Sequence, residues 1–317
     1  MNKLLDILGP TATGKTDLGI EVAKILPGEL VSCDSRQVYK GLDIGTGKLP
    51  GAEVRLEKHE RVWIMDGVAV WLYDLCEAKD QYDVWQYIQD AKKEIVRISK
   101  EGKLPIVVGG TGLYLQSLLE GFSEVETPAN IQLRAELEAL DLSALQEKLT
   151  LLDKKLFLSL NTSEQRNKRR LIRRIEKSLS YSTPKLQEKV VGLSDSFDVL
   201  KIGLHTDRKI LYQRIDERVV KRVLSGMIEE AEHLHKNGLT FKRMRELGLE
   251  YRYLADFLEG RISTREEFIS ILQYKIHQFA KRQLTWFKKD EAIHWFDIST
   301  PRFKTQVEET ILNWYNS

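Results

Sequence analysis

Gly9-Pro10-Thr11-Ala12-Thr13-Gly14-Lys15-Thr16 stands between an apolar run (Leu4, Leu5, Ile7, Leu8) and a segment whose Leu18, Ile20, Val22, Ala23 and Ile25 can line the buried side of a helix. The octapeptide fits G-x-x-x-x-G-K-[ST], and strand, glycine loop, helix is the context that pattern requires. There the glycines let backbone N–H groups wrap an anion, and the helix start adds the positive end of its dipole. Lys15 supplies a point charge, and the Thr16 hydroxyl is placed to hold a Mg²⁺ that bridges phosphate oxygens. The loop predicts a bound di- or triphosphate without saying which. Asp6, inside the preceding strand, predicts a sheet edge or a polar neighbour at that point.

A chain of 317 residues predicts one large domain or two smaller ones, and 42% hydrophobic with 30% charged residues suits a globular protein. Two cysteines, Cys33 and Cys76, support neither a disulfide framework nor a cysteine-ligated zinc module, which points to a reducing cytoplasm. The chain enters its first strand at once, leaving no room for a signal peptide, and no apolar run approaches a membrane span. With a net charge of +2, whole-molecule charge says little about partners, so local clustering must carry that reading.

Leu30-Val31-Ser32-Cys33 reads as a buried strand ending in Asp34-Ser35-Arg36-Gln37. Ligands of open parallel sheets bind beyond the carboxyl ends of strands, so Asp34 is expected to face the phosphate loop; a helix cap or a turn is the alternative. Asp43-Ile44-Gly45-Thr46-Gly47-Lys48 offers a second glycine loop that could close over the same place. Residues 53–75 alternate (Val54, Leu56, Val62, Ile64, Val68, Val70, Leu72) around Asp66-Gly67, which predicts an inserted hairpin feeding a strand near Trp71-Leu75, with His59 on the surface. A helix follows from the Asp83/Gln86 capping box, with Val84, Ile88, Ala91, Ile95 and Ile98 inward, and stops at Gly102. Pro105-Ile106-Val107-Val108 then runs into Gly109-Gly110-Thr111-Gly112, another strand–loop–helix junction at the same sheet edge.

From about residue 121 strand-like runs stop, and Pro128 opens a charged helical region extending to about residue 195. Asn161 and Glu164 suit a helix start, and Leu171, Ile172, Ile175 and Leu179 make a narrow apolar seam. Gln165 to Lys177 carries Arg166, Lys168, Arg169, Arg170, Arg173, Arg174 and Lys177 against the single acid Glu176. That imbalance favours a polyanion contact, because each phosphate neutralised releases counterions. Val199 to Leu204 returns the chain to the sheet, and Thr206 or Asp207 caps a helix with Leu211, Ile215, Val219 and Val223 inward. On it Arg214, Arg218 and Arg222 fall on one stripe; the first is expected at the phosphate site, the other two either there or solvated and paired with Asp216 and Glu217. A further helix from Thr264, with Glu267 completing a capping box, carries Lys275, Lys281 and Arg282 among Phe279, Trp286 and Phe287, which suits a nucleic-acid surface or a core.

These segments together resemble the tRNA dimethylallyltransferases (tRNA isopentenyltransferases) in their short, bacterial-type form. The resemblance rests on Gly9–Thr16, Asp34–Tyr39, Asp43–Thr46, Gly109–Tyr114, Leu211–Ile215 with Arg218, and Ala280–Phe287, in the family's order and over nearly the whole chain. It implies an α/β fold, a P-loop NTPase-like parallel sheet with helices on both faces, formed by residues 1–120 and 196–317. Residues 121–195 would be an all-helical insertion clasping the tRNA anticodon stem-loop. It further implies transfer of a dimethylallyl group from dimethylallyl diphosphate to the exocyclic amine of the adenosine 3′-adjacent to the anticodon, with Mg²⁺ as cofactor, in a monomer. Asp34 matches the family's base, Arg214 its diphosphate-binding arginine, and Thr16 its metal-holding hydroxyl. Ser35, Arg36, Gln37, Thr111, Arg134, Gln165, Arg166, Asn167, Lys168, Arg169, Lys281 and Arg282 match positions that contact tRNA. The pattern departs at Val70-Trp71, Gly248-Leu249-Glu250 and Ile276-His277.

Two rival readings use the same loop. A P-loop small-molecule or nucleoside kinase would need ATP and a carboxylate base but no basic insertion. An RNA-binding nucleotide switch would want Asn-Lys-x-Asp, whereas Asn167-Lys168 is followed by Arg169-Arg170.

Overall fold

The computed structural model describes residues 2–122, 130–180 and 190–317. Two compact units form, Met1–Glu120 with Gly192–Ser317, and Gly121–Val191. The helix start expected at Pro128 lies outside the described residues.

The first unit is built on one eight-stranded, mostly parallel sheet. In chain order it contains β1 (Asn2–Leu8), α1 (Lys15–Ile25), β2 (Gly28–Cys33), β3 (Leu56–His59), β4 (Val62–Met65), β5 (Val68–Trp71), α2 (Val84–Lys100), β6 (Leu104–Gly109) and α3 (Gly112–Glu120). β1, β6 and β2 lie side by side and parallel at its centre. Their near-continuous apolar sequences follow from burial on both faces. Leu5 and Ile7 point to the face covered by α1, while Leu4 and Leu8 point to the face covered by α2 and α3.

The expected hairpin is a three-stranded meander, β3–β4–β5, with Asp66-Gly67 as its second turn. The strand placed near Trp71-Leu75 ends instead at Trp71. Leu72 and Asp74 take positive φ (69° and 54°), which turns the chain out of the sheet. Asp74 there binds Lys48 and accepts from Trp63 Nε1 at 2.8 Å. The Asp83/Gln86 capping box forms as expected, and His59 is exposed.

Of the two expectations for Asp6, the polar neighbour holds and the sheet edge does not. β1 is flanked by β6 and β9 (Phe197–His205) rather than lying at an edge, so the polar neighbour is the surviving explanation. Lys201 sits across from Asp6 in register and pairs with Asp290 at 2.6 Å. Asp6 is fully buried, and neither carboxyl oxygen has a hydrogen-bond partner among the described residues. Burial pushes its pKa well above the usual carboxylate range, and Lys201 pulls it only partly back. A carboxyl with a raised folded-state pKa favours folding while protonated, so its contribution is lost as pH climbs from about 4 through that raised value. Asp6→Asn should therefore leave stability near pH 4 almost unchanged and raise it near pH 8 by about 1–3 kcal/mol. Urea unfolding at both pH values measures this, and identical curves for the two proteins at both would contradict it.

The second unit contains β7 (Gly121–Phe122), α4 (Ile131–Ala139), α5 (Leu142–Leu152), α6 (Lys154–Ser159), α7 (Thr162–Gln165), α8 (Lys168–Ser180) and β8 (Val190–Val191). It closes at Val191, earlier than residue 195, because Leu193–Asp195 form a turn packed on α3. Its core joins Leu137, Leu145, Leu149 and Leu160 to Leu171, Ile172 and Ile175, whereas the expected seam residue Leu179 is exposed. Asn161 and Glu164 cap α7 reciprocally.

Returning to the first unit, β9 leads into α9 (Arg208–Leu224), α10 (Met227–Lys236), α11 (Phe241–Leu247), α12 (Leu249–Leu258), α13 (Arg265–Phe287), β10 (Ile293–Asp297) and α14 (Phe303–Tyr315). Asp207, not Thr206, caps α9. Helices α9 to α13 share a second core with Val38, Tyr39 and Leu42 from the segment after β2. That core fixes α9 and α13 against the loops at the strand ends. No helix of the described residues is long and apolar enough to cross a membrane.

Candidate active site

The carboxyl ends of β1, β6 and β2 open on a cavity of about 750 Å³. The loop after β1 begins at Gly9, whose φ of 141° and contact with the Leu204 carbonyl leave no room for a Cβ. It ends at Gly14, left-handed at φ 82°, from which α1 starts with Lys15 and Thr16 facing the cavity. Thr13 Oγ1 and Lys15 Nζ both donate to the Pro10 carbonyl, at 2.9 and 2.8 Å. Burial, with Arg218 adding to it, lowers the Lys15 pKa to about 7, against the opposing pull of Asp34. An anion in the loop would restore its charge.

Asp34 follows β2 directly and lines the same cavity as Lys15 and Thr16. One of its oxygens accepts from the Arg36 amide at 2.8 Å, so the turn contact and the cavity-facing position coexist. Ser35 donates its amide to Thr111 Oγ1 at 3.2 Å, and Gln37 lines the cavity while accepting from Ser32 Oγ at 2.8 Å. Arg36 Nη1 turns onto the Ser35 carbonyl.

The arginine stripe of α9 crosses the cavity. Arg214 Nε donates to the Ala12 carbonyl at 2.8 Å, Arg218 to the Thr11 hydroxyl, and Arg222 to the Gly45 carbonyl at 3.1 Å. The solvated alternative for Arg218 and Arg222 is thereby removed: Asp216 pairs with His277 and Glu217 with Gln213. Arg218, deeper than the exposed Arg214, has its pKa lowered chiefly by burial and then by Arg222. Glu250, from the departing Gly248-Leu249-Glu250 stretch, lies half-buried 3.7 Å from Arg222. Burial raises its pKa and Arg222 opposes that.

The second glycine loop also lines the cavity, through Ile44, Thr46, Gly47 and, last, Lys48. Its side chain is fully buried, bound to the Tyr39 carbonyl at 2.8 Å, to Asp43 at 2.8 Å and to Asp74. Glu230 holds this loop by accepting the amides of Asp43, Ile44 and Gly45 at 2.7–3.0 Å and the Tyr251 hydroxyl at 2.5 Å. On α13, Gln283 is buried at the cavity wall, while Lys281 and Arg282 are exposed.

In the second unit Arg134 gives both Nε and Nη2 to buried Glu176 (3.0 and 2.8 Å), and Arg173 pairs with the same carboxylate. Gln165 donates to the Phe157 and Leu160 carbonyls (3.2 and 3.0 Å), and Lys168 to that of Glu138 at 2.7 Å. Arg166, Asn167, Lys168, Arg169 and Arg170 are exposed, whereas Lys177 is buried. The basic run thus divides into a structural set and a solvent-facing set.

Residues 37–290 match the family model described as IPP transferase. The chain belongs to the IPP transferase family. Within it, a protein of Geotalea daltonii named tRNA dimethylallyltransferase 1 is 41% identical over 298 residues, 93% of this chain and 90% of that protein. The tRNA dimethylallyltransferase of Streptococcus mutans is 37% identical over 314 residues, 98% of each chain. The crystal structure of the full-length tRNA isopentenylpyrophosphate transferase of Bacillus halodurans superposes with a TM-score of 0.70 at 33% identity, covering 99% of this chain and 96% of that one.

Sequence reasoning left Arg218 and Arg222 undecided and gave no role to Gln283 or Glu230. The i, i+4, i+8 spacing carried a signal for the arginines. Nothing local marks Glu230, whose loop lies 185–187 positions away in sequence.

Proposed function

We propose that this chain transfers a dimethylallyl group from dimethylallyl diphosphate to the exocyclic amine of the adenosine 3′-adjacent to a tRNA anticodon. The carrying observation is that Asp34, directly after β2, shares a cavity with a phosphate loop, Lys15 and Arg218. As the amine nitrogen bonds to the carbon bearing the diphosphate, the carbon–oxygen bond breaks. The departing charge falls among the loop amides, Lys15, Arg218 and Arg214. An aromatic amine is a poor nucleophile until its proton leaves, and Asp34 is the base that receives it. The adenine must leave its stack to reach the cavity, where Gln37 stands on the wall beside Asp34, with Ser35, Arg36 and Thr111 behind them.

No group of three or more His, Cys, Asp or Glu side chains is arranged to hold a metal among the described residues. The donor set fits a Mg²⁺ bound through the Thr16 hydroxyl and the diphosphate's own oxygens, as hard, hydrated cations commonly bind. There it would supply further neutralisation of the leaving group. The chain is read as a cytoplasmic monomer, with residues 121–195 as the arm that meets the anticodon stem-loop.

Donor choice separates this reading from a kinase. Given dimethylallyl diphosphate and tRNA, the protein should release diphosphate without consuming ATP; phosphorylation of an acceptor by ATP would reverse the assignment. The arm is tested on its exposed cations. Arg166→Glu with Arg169→Glu should weaken tRNA binding and flatten its salt dependence by roughly one unit of slope per lost phosphate contact. Filter binding from low to moderate salt reads both, and an unchanged slope would leave these arginines merely solvated.

A further inference from the structure

The phosphate loop and the loop bearing the base follow different strands, yet the reaction needs them in register to a fraction of an ångström. Gln283 bridges them. From α13 its Oε1 accepts the Thr11 amide at 2.9 Å, and its Nε2 donates to the Gly110 carbonyl at 2.9 Å. The next residue, Thr111, donates its amide to the Cys33 carbonyl at 3.3 Å and accepts the Ser35 amide on Oγ1 at 3.2 Å. Those two contacts grip the chain on either side of Asp34. The path from cradle to base is therefore Thr11, Gln283, Gly110, Thr111, then Cys33 and Ser35.

Several details make this more than ordinary packing. Gln283 is nearly fully buried, and both ends of its amide are satisfied by backbone groups of two separate loops. A buried amide with each end paired fixes direction as well as distance. The Thr11 amide, a natural candidate for the anion cradle, is thereby directed to a side chain. Gly110 allows the close approach, since a Cβ there would strike Gln283 Nε2. On the opposite side of the loop, Arg218 holds the Thr11 hydroxyl. Thr11 is thus pinned from α9 and from α13 at once.

We infer that Gln283 is a positioning residue for prenyl transfer, a strut that holds the diphosphate cradle in register with Asp34. The inference rests on the proposed reaction but names a residue that reading does not use. Both ends of its amide are taken by backbone groups of the two loops, so its loss should be felt when both substrates must be aligned together. Binding of either alone should change little. The substitutions Gln283→Met, which keeps length and removes both hydrogen bonds, and Thr111→Val, which removes the hydroxyl held by Ser35, interrupt one path at two points.

The test combines kinetics with a cycle of these two variants. Gln283→Met should lower kcat about tenfold or more, with the dissociation constants of dimethylallyl diphosphate and tRNA within about twofold of wild type. Because both substitutions break the same path, the double variant should be about as slow as the slower single one. Turnover within twofold of wild type, a loss confined to donor affinity, or multiplying effects in the double variant would each overturn the strut. Amide exchange supplies a readout independent of turnover. In Gln283→Met the remote Ser35 amide should exchange faster along with Thr11, and faster exchange at Thr11 alone would refute the linkage. A wild-type protein that exchanges as expected but never prenylates tRNA would sink the proposed reaction and leave the strut standing.

Discussion

Asp34→Asn should lower turnover on the order of a hundredfold or more while leaving tRNA and donor binding near wild type. The substitution changes charge with little change of shape. The Arg36 amide bonds one Asp34 oxygen at 2.8 Å, and an asparagine oxygen can keep that contact. What an amide cannot do is take the proton shed by the attacking amine. Single-turnover prenylation with saturating tRNA isolates that step. Turnover within a few-fold of wild type would remove Asp34 from the base role and direct attention to the other carboxylates on the cavity wall, Asp17, Glu53 and Glu217.

Arg218→Ala should cost on the order of a hundredfold in kcat/KM for the donor, against roughly tenfold for Arg214→Ala. The difference follows from depth. Arg214 is exposed and reaches the loop only through the Ala12 carbonyl, whereas Arg218 is more buried, meets the Thr11 hydroxyl and lies close enough to Lys15 to lower its pKa. A charge in a water-poor site interacts more strongly with a developing diphosphate than one at the rim. Arg218→Lys, which retains charge but not the guanidinium fork, should recover part of the loss. Equal effects at the two positions would show that the family-matched Arg214 carries the leaving group after all.

Legibility of the site in the sequence followed the range of the interactions that build it. Strand, loop and helix around Gly9–Thr16 and Gly109–Gly112 were readable because each is local: an apolar run, glycines at the turn, then helical spacing; Asp34 was readable as the polar end of the buried strand Leu30–Cys33. The α9 helix was equally clear, down to the inward Leu211, Ile215, Val219 and Val223. The Asp43–Lys48 loop was legible as one that closes over the same cavity, but the place of Lys48 within it was not. Its burial depends on Asp74, 26 residues on, at a point where the chain leaves the sheet. Gln283 stood inside a recognisable block, but its partner Thr11 is 272 residues away, and no local pattern encodes that contact. Asp6 left two explanations open in the sequence, and the structure keeps one. The polar neighbour existed, while strand order, a property of the whole sheet, excluded an edge.

In the proposed reaction a phosphate cradle and Asp34 meet an adenine of tRNA in one cavity. Nucleoside mass spectrometry of unmodified tRNA incubated with the purified protein, Mg²⁺ and dimethylallyl diphosphate tests it most directly. One adenosine, 3′-adjacent to the anticodon, should become heavier by a single dimethylallyl group, with diphosphate released in equal amount and both products nearly lost with Asp34→Asn. Unaltered tRNA from the wild-type protein, or equal product from Asp34→Asn, would contradict it.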